Sequence, residues 1–175
     1  MRARRMVVVP LALVAAFVAP GIDALPARAA AAPAGYDRVD VKPAGISILV
    51  PNGMRRSKVT RQIPFSAFDG AKSVDHAVTV LRSNYKSLPS QAALRANVAR
   101  LVDQGATQVD IQPTSVAGRP AVVQNLTLGE TTTRTYFLEP QKGKVVAVGF
   151  TWPSGEPAYA QKVDTMIDNL RISRT

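Results

Sequence analysis

The chain has 175 residues, of which 46% are hydrophobic and 19% charged, with no cysteine, one histidine and a formal net charge of +10. The charged share lies below the roughly 25% of an average globular protein while aliphatic residues abound, so the composition excludes wholesale disorder and fits one packed domain. The missing cysteine excludes disulfide frameworks, thiol catalysis, cysteine zinc sites and attachment through a lipobox cysteine, and a lone His76 excludes multi-histidine metal centres.

In chain order, the first element is an address. Arg2, Arg4 and Arg5 precede an apolar run from Met6 to Ala19 that Pro20 and Gly21 interrupt, the pattern of a secretory signal peptide. About 14 apolar residues fall short of the roughly 20 that span a bilayer as a helix, so a transmembrane anchor is the weaker reading. The small residues Ala27-Arg28-Ala29-Ala30 favour cleavage after Ala29, although Ala32 or Ala34 would serve nearly as well, giving a signal peptide over 1–29, a flexible leader over 30–35 and a single domain over 36–175. The surroundings of Arg4-Arg5 favour ordinary secretion over the twin-arginine route. Cleavage removes four arginines and Asp23, leaving a surplus of about +7 that biases the domain toward anionic partners, although charge also serves solubility.

Ile46 to Pro51 alternates as a strand, with Tyr36 to Val41 a candidate partner, and closes on the turn Pro51-Asn52-Gly53. A second strand is expected over Lys58 to Phe65 and a turn at Asp69-Gly70. Ser73 to Tyr85 fits either period; a strand over His76 to Tyr85 is preferred. Ser87 to Ser90 then leads into a helix over Gln91 to Gln104, with Leu94, Val98, Leu101 and Val102 as its buried stripe and Gly105 as its stop. A turn is expected around Pro113. Pro120 to Leu128, Thr132 to Glu139 and Val145 to Trp152 read as an antiparallel meander, the last pair joined at Gly143. A final helix, Glu156 to Asn169, carries Tyr159, Val163, Met166, Ile167 and Leu170 at helical spacing and must bury them on the sheet.

The class is therefore α+β: an antiparallel sheet with a central helix and a C-terminal helix packed on it. Three stretches carry a resemblance: Ile46-Ser47-Ile48-Leu49-Val50-Pro51-Asn52-Gly53-Met54, Ala117-Gly118-Arg119-Pro120-Ala121-Val122 and the closing Met166-Ile167-Asp168-Asn169-Leu170. They are similar to the PsbP/Mog-like fold family, in particular its actinobacterial secreted, LpqN-like kind, over nearly all of the chain beyond the signal peptide; Met54 stands where that family has tryptophan. The resemblance implies a PsbP/Mog-like α/β sandwich, no shared catalytic residue, and a non-enzymatic binding or assembly role. Without a lipobox cysteine it implies a released or loosely held protein.

Chemistry is sparse. No Gly-x-Ser-x-Gly elbow, zincin helix, phosphate-cradling glycine loop or calcium loop is present, so neither a cofactor nor a metal is expected. His76 is read as a satisfied surface or edge histidine, Asp37 with Asp40 and Asp164 with Asp168 as solvated faces, and Asn125-Leu126-Thr127 as a chance glycosylation match inside a strand. Two features remain for binding. Arg55, Arg56, Lys58 and Arg61 crowd after the Gly53 turn and form a candidate surface for phosphate or carboxylate groups, against the alternative of a charged edge that resists aggregation. Trp152 either joins that surface as a pocket rim or, the favoured reading, caps the core. The expected function is a secreted module that binds a protein or an anionic cell-envelope component at the cell surface or outside it. Nucleic acid is disfavoured because the stretch has no interleaved aromatics before Phe65. Two alternatives remain open: a hydrolase or lyase would seat His76 in a concavity beside a carboxylate and a hydroxyl, and nonspecific binding to an anionic polymer would gather the cations on one face.

Overall fold

The computed structural model describes residues 31–175 except 71–74, 104, 174 and 175. The expected signal peptide over 1–29 and its cleavage site after Ala29 lie outside the described residues. Two antiparallel sheets organise the fold. The smaller has the order β1-β2-β10 (Tyr36–Val41, Ile46–Pro51, Arg171–Ile172), and a 3-10 turn, Lys42–Ala44, joins its first two strands. The larger has seven strands in the order β3-β4-β5-β9-β8-β7-β6: Arg55–Arg56, Phe65–Phe68, Ala77–Arg82, Lys144–Pro153, Thr131–Gln141, Arg119–Leu128 and Ala106–Val116. Two helices complete it, α1 (Gln91–Asp103) and α2 (Pro157–Asp168).

Strand alternation separates two cores. On β8, Tyr136 and Leu138 enter a large core with β2, β5, β9 and α2, whereas Phe137 between them packs against Leu94 and Val98 of α1. Successive side chains of a strand point to opposite faces, so α2 and the small sheet cover one face of the large sheet and α1 part of the other. Strand β9 is apolar on both sides from Val145 to Val148, as a central strand must be. In α2, Tyr159, Val163, Met166 and Ile167 form the buried stripe, and Pro157 sits at its first turn, where a missing N–H costs nothing.

Several local expectations need correction. The strand expected over Lys58 to Phe65 is instead β4, starting at Phe65. The preceding residues close a turn in which Thr60 N–H donates to the Ile63 carbonyl and Ile63 N–H to Thr60 Oγ1, both at 2.9 Å, which diverts backbone groups a ladder would need. The turn expected at Pro113 is the interior of an eleven-residue strand, β6. β6 is the sheet's edge, where a proline without an N–H is tolerated. Val102, expected in the α1 stripe, is 48% exposed. The leader expected over 30–35 joins the fold from Ala32, which packs on the large core, and Tyr36 N–H donates to the Pro33 carbonyl at 3.2 Å. Among the described residues no helix is long and apolar enough to cross a membrane.

Candidate functional site

The four cations after the Gly53 turn are all exposed, but they do not share a face. Arg55 and Arg56 form β3, the other edge of the large sheet, paired with Phe68 and Ala67. As neighbours on a strand they point to opposite sides. The Arg55 guanidinium lies 5.1 Å from the Phe68 ring centre and donates to the Gly70 carbonyl, while that of Arg56 lies 6.0 Å from Phe65. Both are therefore held on aromatic platforms at the sheet edge. Among the described residues no carboxylate forms an ion pair with Arg56, Lys58 or Arg61.

Arg61 leads elsewhere. With Gln62, Arg82, Ser83 and Asn84 it lines a depression of about 410 Å³ at the end of β5, where Arg82 N–H donates to the Gln62 carbonyl at 2.8 Å. Arg82 and Ser83 also border a cleft of about 540 Å³, walled by the Lys42–Ala44 turn and by the β8–β9 hairpin with Pro140, Gln141, Gly143 and Lys144, and floored by Val146. Among the described residues three cations, Lys42, Arg82 and Lys144, and no carboxylate or aromatic ring line it. Arg82 Nη2 is held by the Pro43 carbonyl at 3.1 Å and Lys144 Nζ by Gln141 Oε1 at 2.7 Å. Glu139, on the same hairpin, accepts from the Gly143 N–H and lies outside the lining. Of the four expected residues only Arg61 reaches this region; Lys42, Arg82 and Lys144 were not anticipated. They stand one to a segment, about 40 and 60 residues apart along the chain, so no local motif marks them.

Trp152 does not belong to a binding surface. It is 4% exposed, its ring centre lies 5.9 Å from that of Tyr159 on α2, and the Arg134 guanidinium sits 5.7 Å from it. Tryptophan is large and apolar enough to close the core under the helix, and here it does so.

His76 is more engaged than a lone histidine needs to be. Its side chain is 16% exposed; Nδ1 faces both Asp69 oxygens at 2.9 Å, and Nε2 faces Glu156 Oε2 at 2.8 Å. Its ring stacks on Tyr159 with centres 4.2 Å apart. Both ring nitrogens are thus engaged by carboxylates of the protein itself. Burial, then the neighbouring Asp69, Tyr36 and Glu156, push the Tyr159 phenol well above its ordinary range. The arrangement ties the β4–β5 connection to the start of α2. Of the two other carboxylate groups considered, Asp164 pairs with Arg134 at 2.7 Å, and Asp37 and Asp40 are exposed on β1.

No protein-family model matches the chain, and no curated protein matches it. Solved structures do. Cyanobacterial PsbP (CyanoP) from Synechocystis sp. PCC 6803 superposes with a TM-score of 0.54 at 15% identity, covering 81% of this chain and 94% of that one. A mutant of the protein Mog1 gives 0.52 at 12%, covering 80% and 97%. The Saccharomyces cerevisiae Ran-binding protein Mog1p gives 0.51 at 12%, covering 78% and 95%. At such identities the likeness concerns the fold: the architecture is PsbP/Mog-like, as the three sequence stretches implied.

Proposed function

We propose that the chain is an exported, non-enzymatic binding or assembly module that engages an acidic protein face or an anionic component of the cell envelope through its basic edge. One observation carries the reading: the charges of Arg56, Lys58 and Arg61 are exposed and not spent on carboxylates among the described residues. Arginines backed by aromatic rings, as Arg55 and Arg56 are, resemble the anchors of protein interfaces more than a uniformly solvated edge. The non-enzymatic part rests on His76, whose two nitrogens are both occupied. The solved neighbours add support, since one of them is a Ran-binding protein. Export rests on the Arg-rich and apolar start of the chain, and the LpqN-like kind on the stretches quoted above.

The test is a crosslinking pull-down from envelope and culture supernatant with the chain and with a variant in which Arg55, Arg56, Lys58 and Arg61 become serine. Enrichment of one partner by the parent and its loss by the variant is the expected result. Identical recovery by both would overturn the role of the basic edge. Repeating the capture between 50 and 200 mM salt separates a specific partner from nonspecific polymer binding, because affinity for a polyanion collapses by orders of magnitude over that range.

A further inference from the structure

The cleft between the Lys42–Ala44 turn and the β8–β9 hairpin has features the basic edge lacks. It is recessed, with Val146 as its floor, and its cations arrive from three separate segments: Lys42 from the turn, Arg82 from the end of β5, Lys144 from the start of β9. A flat anionic surface meets the rim of such a recess, whereas a projecting anionic group fills it. A volume of about 540 Å³ is in the range of small-molecule sites.

We infer that this cleft is a binding site for a small soluble ligand bearing a diphosphate or longer phosphate chain on a body without an aromatic ring. Three cations with no lining carboxylate among the described residues call for several negative charges in a small space. Tetrahedral phosphate oxygens point in enough directions to meet donors from three segments, while a planar carboxylate is served by a single arginine fork. The two best-placed cations are already oriented by their own neighbours. Pro43 takes one of the five N–H donors of Arg82 and Gln141 one of the three of Lys144, leaving the rest for the ligand at little further ordering cost. The remaining walls, Pro43, Ala44, Pro140 and Val146, are aliphatic and provide no ring for a nucleobase to stack on.

This proposal stands apart from the basic edge, and one experiment separates the two. The purified full chain is titrated with inorganic tripolyphosphate, inorganic monophosphate and tricarballylate by calorimetry, with amide shifts followed by NMR. Tripolyphosphate is expected to bind at least tenfold more tightly than either of the others and to move the amides of Ala44, Ser83, Gly143, Lys144 and Val146. Arg82→Gln and Lys144→Gln are each expected to weaken it about tenfold, the order of one charge-assisted hydrogen bond. Arg82→Lys, which keeps the charge, holds the loss to a few-fold and shows that the effect is not misfolding; Arg55→Ser with Arg56→Ser leaves it unchanged. Absence of tripolyphosphate binding, equal affinity for the tricarboxylate, or an equal loss in the Arg55 and Arg56 variant would each overturn the assignment while leaving the pull-down result to stand or fall by itself.

Discussion

At the scale of single residues, the most consequential is Tyr159. Its hydroxyl is buried without a hydrogen-bond partner among the described residues, and burial raises its pKa above the ordinary value of 10. Below pH 10 both folded and unfolded chains keep the phenolic proton; above it the unfolded chain releases its proton first. Stability present at neutral pH is therefore lost as pH rises past 10, and Tyr159→Phe should flatten that decline while changing stability at pH 7 by less than about 1 kcal/mol, as denaturant melts at pH 7 and pH 10.5 will show. Beside it, the contact between His76 and Glu156 is half exposed to solvent. A double-mutant cycle of His76→Ala and Glu156→Ala should return a coupling of about 0.5–1 kcal/mol, the size of a partly screened pair. Ala117 is the one non-glycine described at positive φ, +51°, next to Gly118 at +72° in the two-residue β6–β7 turn. Glycine suits that conformation better, so Ala117→Gly should raise the urea midpoint by the equivalent of about 0.5–1 kcal/mol.

Among the elements, those with long periodic patterns were readable and those shaped by neighbours were not. The meander was expected within two residues of its observed ends, because Val146, Val148, Phe150 and Trp152 alternate without interruption. Helix α2 was equally plain from Tyr159, Val163 and Met166. β6 was missed because Pro113 signals a turn unless the strand is known to lie at an edge, which only the assembled sheet decides. β4 was misplaced because Val59 and Ile63 imitate a strand whose backbone groups the Thr60 turn diverts. The cleft was unreadable for a related reason: its cations meet only through tertiary contacts. Helix α1 rests on a small core of Leu94, Val98, Ile111 and Val122, whereas β9 lies at the centre of the large one. Native-state hydrogen exchange should accordingly show α1 amides opening at a lower free energy than those of β9; equal protection would contradict two separable cores.

For the molecule as a whole, the small sheet joins distant parts of the chain. β2 is flanked by β1 on one side and by β10 on the other, and Ser173 N–H donates to the Gly45 carbonyl at 2.9 Å. Removing the residues after Leu170 should therefore cost about 1–3 kcal/mol, visible as a lowered melting temperature, although the segment is short and only half-buried.

The same pairing bears on how the protein is made. Strand β2 leaves the ribosome before β10, and at Ile46 and Ser47 its second hydrogen-bonding edge has no strand partner among the described residues until Arg171 and Ile172 emerge more than a hundred residues later. Until then that end of an apolar strand is open on one side, the kind of edge that invites pairing with another chain, and the arrival of β10 covers it.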